Sequence, residues 1–190
     1  MKSSLAFRSR KSAASKANQR GVSIIAVLLG LVVSALVIAV AYNMYTDSQG
    51  KARIEKAIAE ITTMTAEAQK MYGGSNNYGS VTTAVAVQGG VVPPRLRIAG
   101  TNTAENTYNG AITFAPATIT TANDALTLGY AGVLPQDCQK VVFAVESLMR
   151  GISIGATDIK ANDAALNVAT MATECDAAAP VTLNLRFGRQ

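Results

Sequence analysis

Residues 22–45 read VSIIAVLLGLVVSALVIAVAYNMY, and residues 46–72 continue as TDSQGKARIEKAIAEITTMTAEAQKMY. The first segment carries no formal charge, and neither segment contains proline. At about 1.5 Å per residue, 24 helical residues reach roughly 36 Å, enough to cross a hydrocarbon core of about 30 Å. Beyond it, Ile54, Ile58, Ile61, Met64, Ala68 and Met71 recur at spacings of four and three, which puts them on one helical face. Lys51, Arg53, Lys56, Glu60 and Glu67 fall mostly on the other. Gly73-Gly74 then supplies a stop, since glycine readily takes the left-handed conformation that closes a helix. The pattern predicts one helix over 22–72, roughly 77 Å long, with Gly50 as its weak point. That length exceeds what a small globular domain can bury, so the first half needs lipid or copies of itself for cover.

Upstream, residues 1–21 hold Lys2, Arg8, Arg10, Lys11, Lys16 and Arg20, no acid, and end in Gly21. This leader takes six of the 17 Lys and Arg of the chain. The remainder has 11 basic against 12 acidic residues, a net of −1. The overall charge of +5 is therefore a topological signal and not a basic face for nucleic acid. Lys and Arg before an apolar span stay on the cytoplasmic side, which places the rest of the chain across the membrane. The competing reading is a secretory signal. Ala39-Val40-Ala41 has the small-x-small form of a cleavage site, and cutting after Ala41 would leave a soluble binding domain starting at Tyr42. Against it stand the long basic region and an apolar run longer than the usual signal core.

Past the long helix, residues 73–123 are rich in Gly, Asn, Thr and Ser, with Pro93-Pro94. They read as a surface connection with a hairpin over Val81–Val87 and Val91–Ile98, turning at Gly89-Gly90. Ala111–Ala115 and Ala125–Tyr130 read as strands. A second helix is expected over Gln136–Arg150, with Pro135 before it, Asp137 in its first turn and Gly151 after it. In VTLNLRF, Val181, Leu183, Leu185 and Phe187 alternate with Thr182, Asn184 and Arg186, the signature of a half-buried antiparallel strand.

Cys138 and Cys175 are the only cysteines. In an exported domain they favour a disulfide, and two buried free thiols are the alternative. A bond would close 38 residues, counting both cysteines, and stabilise by roughly 4 kcal/mol on chain-entropy arguments. The chain has no histidine, which removes Ser-His, Cys-His and zinc-His chemistry, and it carries neither a Walker loop nor GxGxxG. Asp158, Asp163, Glu174 and Asp176 lack the regular oxygen spacing of a calcium loop and read as solvated. Tyr72, Tyr78 and Tyr108 read as packing or subunit-contact residues. No catalytic residue, metal or cofactor is expected, and the chain reads as a non-enzyme.

These features resemble a type IV pilin, and specifically the type IVb class. The likeness rests on the basic leader ending at Arg20-Gly21, the apolar helix that merges into an amphipathic half, the sheet domain behind it, and the two C-terminal cysteines. The stretch LPQDCQKVVFAVESLMRGISIGATDIK (134–160), then ATEC (172–175) and VTLNLRF (181–187), is similar to the conjugative thin-pilus branch. The resemblance implies an α+β fold: a long N-terminal helix on an antiparallel sheet, with a disulfide-bracketed region at 138–175. It implies cleavage after Gly21 by a prepilin peptidase and N-methylation of Val22. It divides the chain into a leader (1–21), a helix (22–72, with 22–45 as membrane span and filament core) and a head (73–190, its αβ-loop at about 73–110). It further implies homo-oligomeric assembly into a helical surface filament by an inner-membrane, ATP-driven machine. The subunit would wait in the inner membrane of a Gram-negative bacterium, C-terminus periplasmic, before becoming extracellular, with the pilus serving adhesion, conjugation or motility. One position departs from the pattern. The fifth mature residue, glutamate in such pilins, is Ala26 here, which keeps open a minor pilin or a pseudopilin of a type II secretion or DNA-uptake system.

Overall fold

The computed structural model describes residues 23–74, 78–176 and 179–188. Two units are distinguished, Met1–Met44 and Tyr45–Gln190. Helix α1, Ile24–Tyr72, contributes to both. Its first turn forms as Ala26 and Val27 donate to the Ser23 carbonyl, and helix continues through Gly50. It ends where expected, with the Gly73 amide closing on the Gln69 carbonyl at 2.8 Å.

In the first unit every described residue is exposed. The second unit holds the core, whose most N-terminal buried residue among those described is Ile54. The buried face of α1 is Ile54, Ala57, Glu60, Ile61, Met64, Thr65 and Ala68. This corrects the expected stripe at three places. Met71 is 45% exposed, Ile58 is only partly buried, and Glu60, assigned to the polar face, is 3% exposed. Glu60 sits at one edge of the buried arc, beside Met64 and Ala57, and protein donors meet it there.

The strands are β1 (Ala104–Glu105), β2 (Ala111–Ala117), β3 (Ala125–Val133), β4 (Gly151–Ile154), β5 (Thr157–Lys160) and β6 (Val181–Gly188). They form one antiparallel sheet in the order β1-β2-β3-β6-β4-β5. The C-terminal strand thus fills the centre. Its alternation sets the register: Leu183, Leu185 and Phe187 lie opposite Tyr130, Leu128 and Leu126, all buried, while Asn184 and Arg186 face Gly129 and Thr127. Pro116 is tolerated in β2 because β1 pairs only with Ala111 and Ile112, leaving no ladder bond for residue 116 to donate on that side.

The hairpin expected over 81–98 does not form. Residues Thr83–Gly89 make a short helix, α2. Its start is capped by the Thr82 hydroxyl, which accepts from the Val85 amide, and Gly90 at φ 90° supplies the left-handed C-cap. Capping and burial of Ala86 and Val87 override the strand preference of a valine-rich run. Helix α3 spans Pro135–Val145, shorter than expected. A 3-10 turn over Glu146–Leu148 follows, and Gly151 opens β4 instead of capping the helix. The fourth helix, α4, Val168–Cys175, is capped by the Asn167 side chain accepting from the Thr170 amide at 3.1 Å.

Candidate functional site

The first feature is the N-terminal half of α1. Its most apolar 18-residue window has a mean hydropathy of 3.1, none of it buried. Ile24 is 77% exposed and Ile38 68%, and no charge interrupts the surface before Asp47. A continuous apolar surface of this kind requires a non-aqueous cover. The polar group of Ser34 is satisfied within the helix, its hydroxyl donating to the Gly30 carbonyl at 2.8 Å, so it suits an apolar surrounding. Ala26 is exposed on this surface. The first acid, Asp47, pairs with Lys51 one turn later at 2.9 Å, and that contact holds its carboxyl below the usual range.

The second feature binds the amphipathic half of α1 to the sheet. Glu60 accepts from the Tyr130 hydroxyl at 2.7 Å and from the Thr107 amide at 3.2 Å. The Arg95 guanidinium approaches its other oxygen at 3.9 Å. A buried carboxyl group needs such partners to offset its desolvation. Beside it, Asp137 in the first turn of α3 is 2% exposed, accepts from the Tyr108 hydroxyl at 3.2 Å, and lies 3.5 Å from Arg53 Nε. Arg53 also sits over the Tyr108 ring, 5.8 Å from its centroid, and that ring meets Tyr130 edge-on at 6.3 Å. Two carboxylates, two tyrosines and two arginines thus link α1, α3, β3 and the 106–108 turn. Burial, the hydrogen bond to Glu60 and its charge push the Tyr130 hydroxyl far above the ordinary tyrosine range. Burial and the Asp137 carboxylate do the same for Tyr108.

The third feature is the disulfide. Cys138, at 0% exposure, and Cys175, at 1%, are bonded with their Cα atoms 5.6 Å apart. The bond joins the first turn of α3 to the last turn of α4 and excludes the free-thiol alternative.

Of the residues singled out in the sequence, Cys138 and Cys175 are therefore brought together. Gly21 and Val22 lie outside the described residues. Asp158 pairs with Arg186 and Asp163 with Arg150, both at 2.5 Å, and no metal-binding cluster occurs among the described residues. Tyr72 donates to the Val85 carbonyl and Tyr78 is buried, so these tyrosines serve packing. Sequence reasoning missed the Glu60–Tyr130 and Asp137–Tyr108 pairs. A signal existed for Glu60 alone: it occupies an inward position of the helical repeat.

A family profile described as PilS N terminal matches residues 51–185. Among solved structures the chain is similar to the type IV b pilin from Salmonella typhi, with 20% identity and a TM-score of 0.56, covering 70% of this chain and 97% of that one. It is also similar to TcpA, a type IV pilin from Vibrio cholerae El Tor biotype, with 18% identity and a TM-score of 0.53, covering 71% and 98%. At these identities the likeness establishes the fold. No match is found among curated proteins.

Proposed function

The chain belongs to the PilS N-terminal family and carries the type IVb pilin fold, and from that premise we propose that it is a prepilin, cut after Gly21 and polymerised through α1. The family and fold are those of structural subunits, not enzymes. The observation that carries the reading is the uncharged, fully exposed first half of α1. In the bilayer its cover is lipid. In a filament its cover is the same segment of other copies. The exchange costs little because both surroundings are apolar.

On this reading residues 1–21 are a cytoplasmic leader, Val22 is the mature N-terminus and carries a methyl group, and residues 73–190 form the head. The partners are a prepilin peptidase, further copies of the chain, and an inner-membrane machine that spends ATP to extract the helix. The pilus serves adhesion, conjugation or motility. Ala26 favours one variant of this reading: a minor subunit, since it provides no carboxylate for a neighbour's terminal amine inside an apolar bundle.

The deciding experiment is the N-terminal sequence and intact mass of the protein from its native host, in wild type and in Gly21→Ala. A wild-type start at Val22 with one added methyl, abolished by the substitution, is expected. A start at Tyr42, or processing indifferent to Gly21→Ala, overturns it in favour of a secreted soluble domain.

A further inference from the structure

The turn between β1 and β2 contains Asn109-Gly110, the dipeptide most open to self-modification, because glycine lets its own amide nitrogen approach the preceding side chain. Both residues are structurally required. Asn109 sits at φ 57°, a left-handed conformation that asparagine tolerates better than most residues. Gly110 passes so close to the Ala131 carbonyl that a Cβ would collide with it. Asn109 itself is exposed to water.

One residue holds this turn. Asn106, 4% exposed, donates its side-chain amide to the Ala131 carbonyl at 2.7 Å. Its side-chain oxygen accepts from the Tyr108 amide at 2.8 Å and from the Gly110 amide at 3.0 Å. Its backbone adds two bonds at 2.9 Å, donating to the Gly110 carbonyl and accepting from the Asn109 amide. The Gly110 nitrogen, which would be the nucleophile, is thereby tied to Asn106.

We propose that Asn109-Gly110 is a latent modification site, kept unreacted by Asn106 in the folded head and converted once the turn opens. The Gly110 nitrogen gives its proton to solvent base and attacks Asn109 Cγ. Ammonia leaves, and a succinimide ring closes between the two residues. Water then opens either carbonyl, giving aspartate or isoaspartate at position 109. The net change is one water consumed and one ammonia released, with no oxidant or reductant. The product bears on the head's integrity. The same turn presents the Thr107 amide to Glu60 and the Tyr108 hydroxyl to Asp137, and isoaspartate lengthens its backbone by one carbon. Modification at 109 thus marks a chain whose turn has opened.

The test uses the full chain, oxidised, in detergent, incubated in mildly alkaline buffer and mapped by mass spectrometry of the tryptic peptide Ile98–Lys140. Asn102 and Asn123, not followed by glycine, are internal controls. In the folded chain, conversion at Asn109 should run about tenfold or more slower than in the reduced, urea-unfolded chain, the factor a single buried hydrogen bond represents. Asn106→Ala should raise the folded-state rate toward the unfolded one. Equal rates in folded and unfolded wild type overturn the proposal. So does an Asn106→Ala chain that keeps its circular dichroism and disulfide yet reacts no faster. Hydrogen exchange at the Gly110 amide gives an independent reading, since a freely exchanging amide there is incompatible with protection by Asn106.

Discussion

At the scale of single residues, Glu60 has the largest structural consequence for its size. Replacing it with alanine leaves the Tyr130 hydroxyl and the Thr107 amide without their acceptor. The Arg95 contact adds little, being long and formed by an arginine whose side chain is 63% exposed. Glu60→Ala should therefore cost about 2–4 kcal/mol, and Glu60→Gln, which keeps an acceptor, roughly half as much. Urea unfolding followed by tyrosine fluorescence measures both, and equal losses would show that the charge, not the acceptor, matters. The tyrosines make a second prediction. Tyr72, Tyr108 and Tyr130 all have hydroxyl pKa values raised by burial above the ordinary 10.0. In the unfolded chain they release protons from pH 10 upward, while in the fold they retain them. The stability they contribute is complete below pH 10 and is lost as pH rises beyond it. An alkaline titration should show tyrosinate absorbance from these residues appearing together with loss of tertiary structure. A smooth tyrosinate rise in a head that stays folded would contradict this.

At the scale of elements, the disulfide stands in for packing that α4 lacks. The helix has eight residues, too few to persist alone, and buries only Met171 and Cys175. Changing both cysteines to alanine should lower stability by about 2–5 kcal/mol. Amide exchange should quicken in Val168–Cys175 more than in β3 or β6. Uniform quickening would mean that the bond stabilises the whole head through the unfolded state instead. The elements also show what a sequence can disclose. The long helix was readable because its period holds across many turns and Gly73 ends it. β6 was readable because seven residues alternate without exception. α2 was misread because the cue, valine-containing runs on either side of Gly89-Gly90, fits a hairpin, whereas the outcome depends on the Thr82 cap and on Ala86 and Val87 finding the core. β4 and β5, at four residues each, are too short for periodicity to register. Glu60 was misplaced because charge was weighed above position, and its partner Tyr130 lies 70 residues away. No local pattern encodes such a pairing.

At the scale of the whole molecule, the chain separates the surface that needs cover from the core that provides its own. Among the described residues, burial begins at Ile54, while the apolar surface ends at Tyr45. The core of the second unit is therefore drawn from Ile54 onward among the described residues. A chain starting at Tyr45 should be soluble and monomeric, form the Cys138–Cys175 bond, and unfold at the same urea concentration as the full chain in detergent. The full chain should require detergent or lipid. Conversely, Val33→Asp places a carboxylate in the middle of the uncharged stretch, 21 residues before Ile54, the most N-terminal buried residue among those described. It should leave head stability unchanged but cost about 2.5–3.5 kcal/mol in membrane insertion. Fractionation of host membranes, paired with denaturation of the soluble head, reads the two effects separately. If Val33→Asp weakened the head itself, or if removing residues 1–44 unfolded it, the division between covered and self-covered surfaces would fail. The proposal that α1 is the polymerising element would then lose the independence from the head on which exchange between lipid and filament depends.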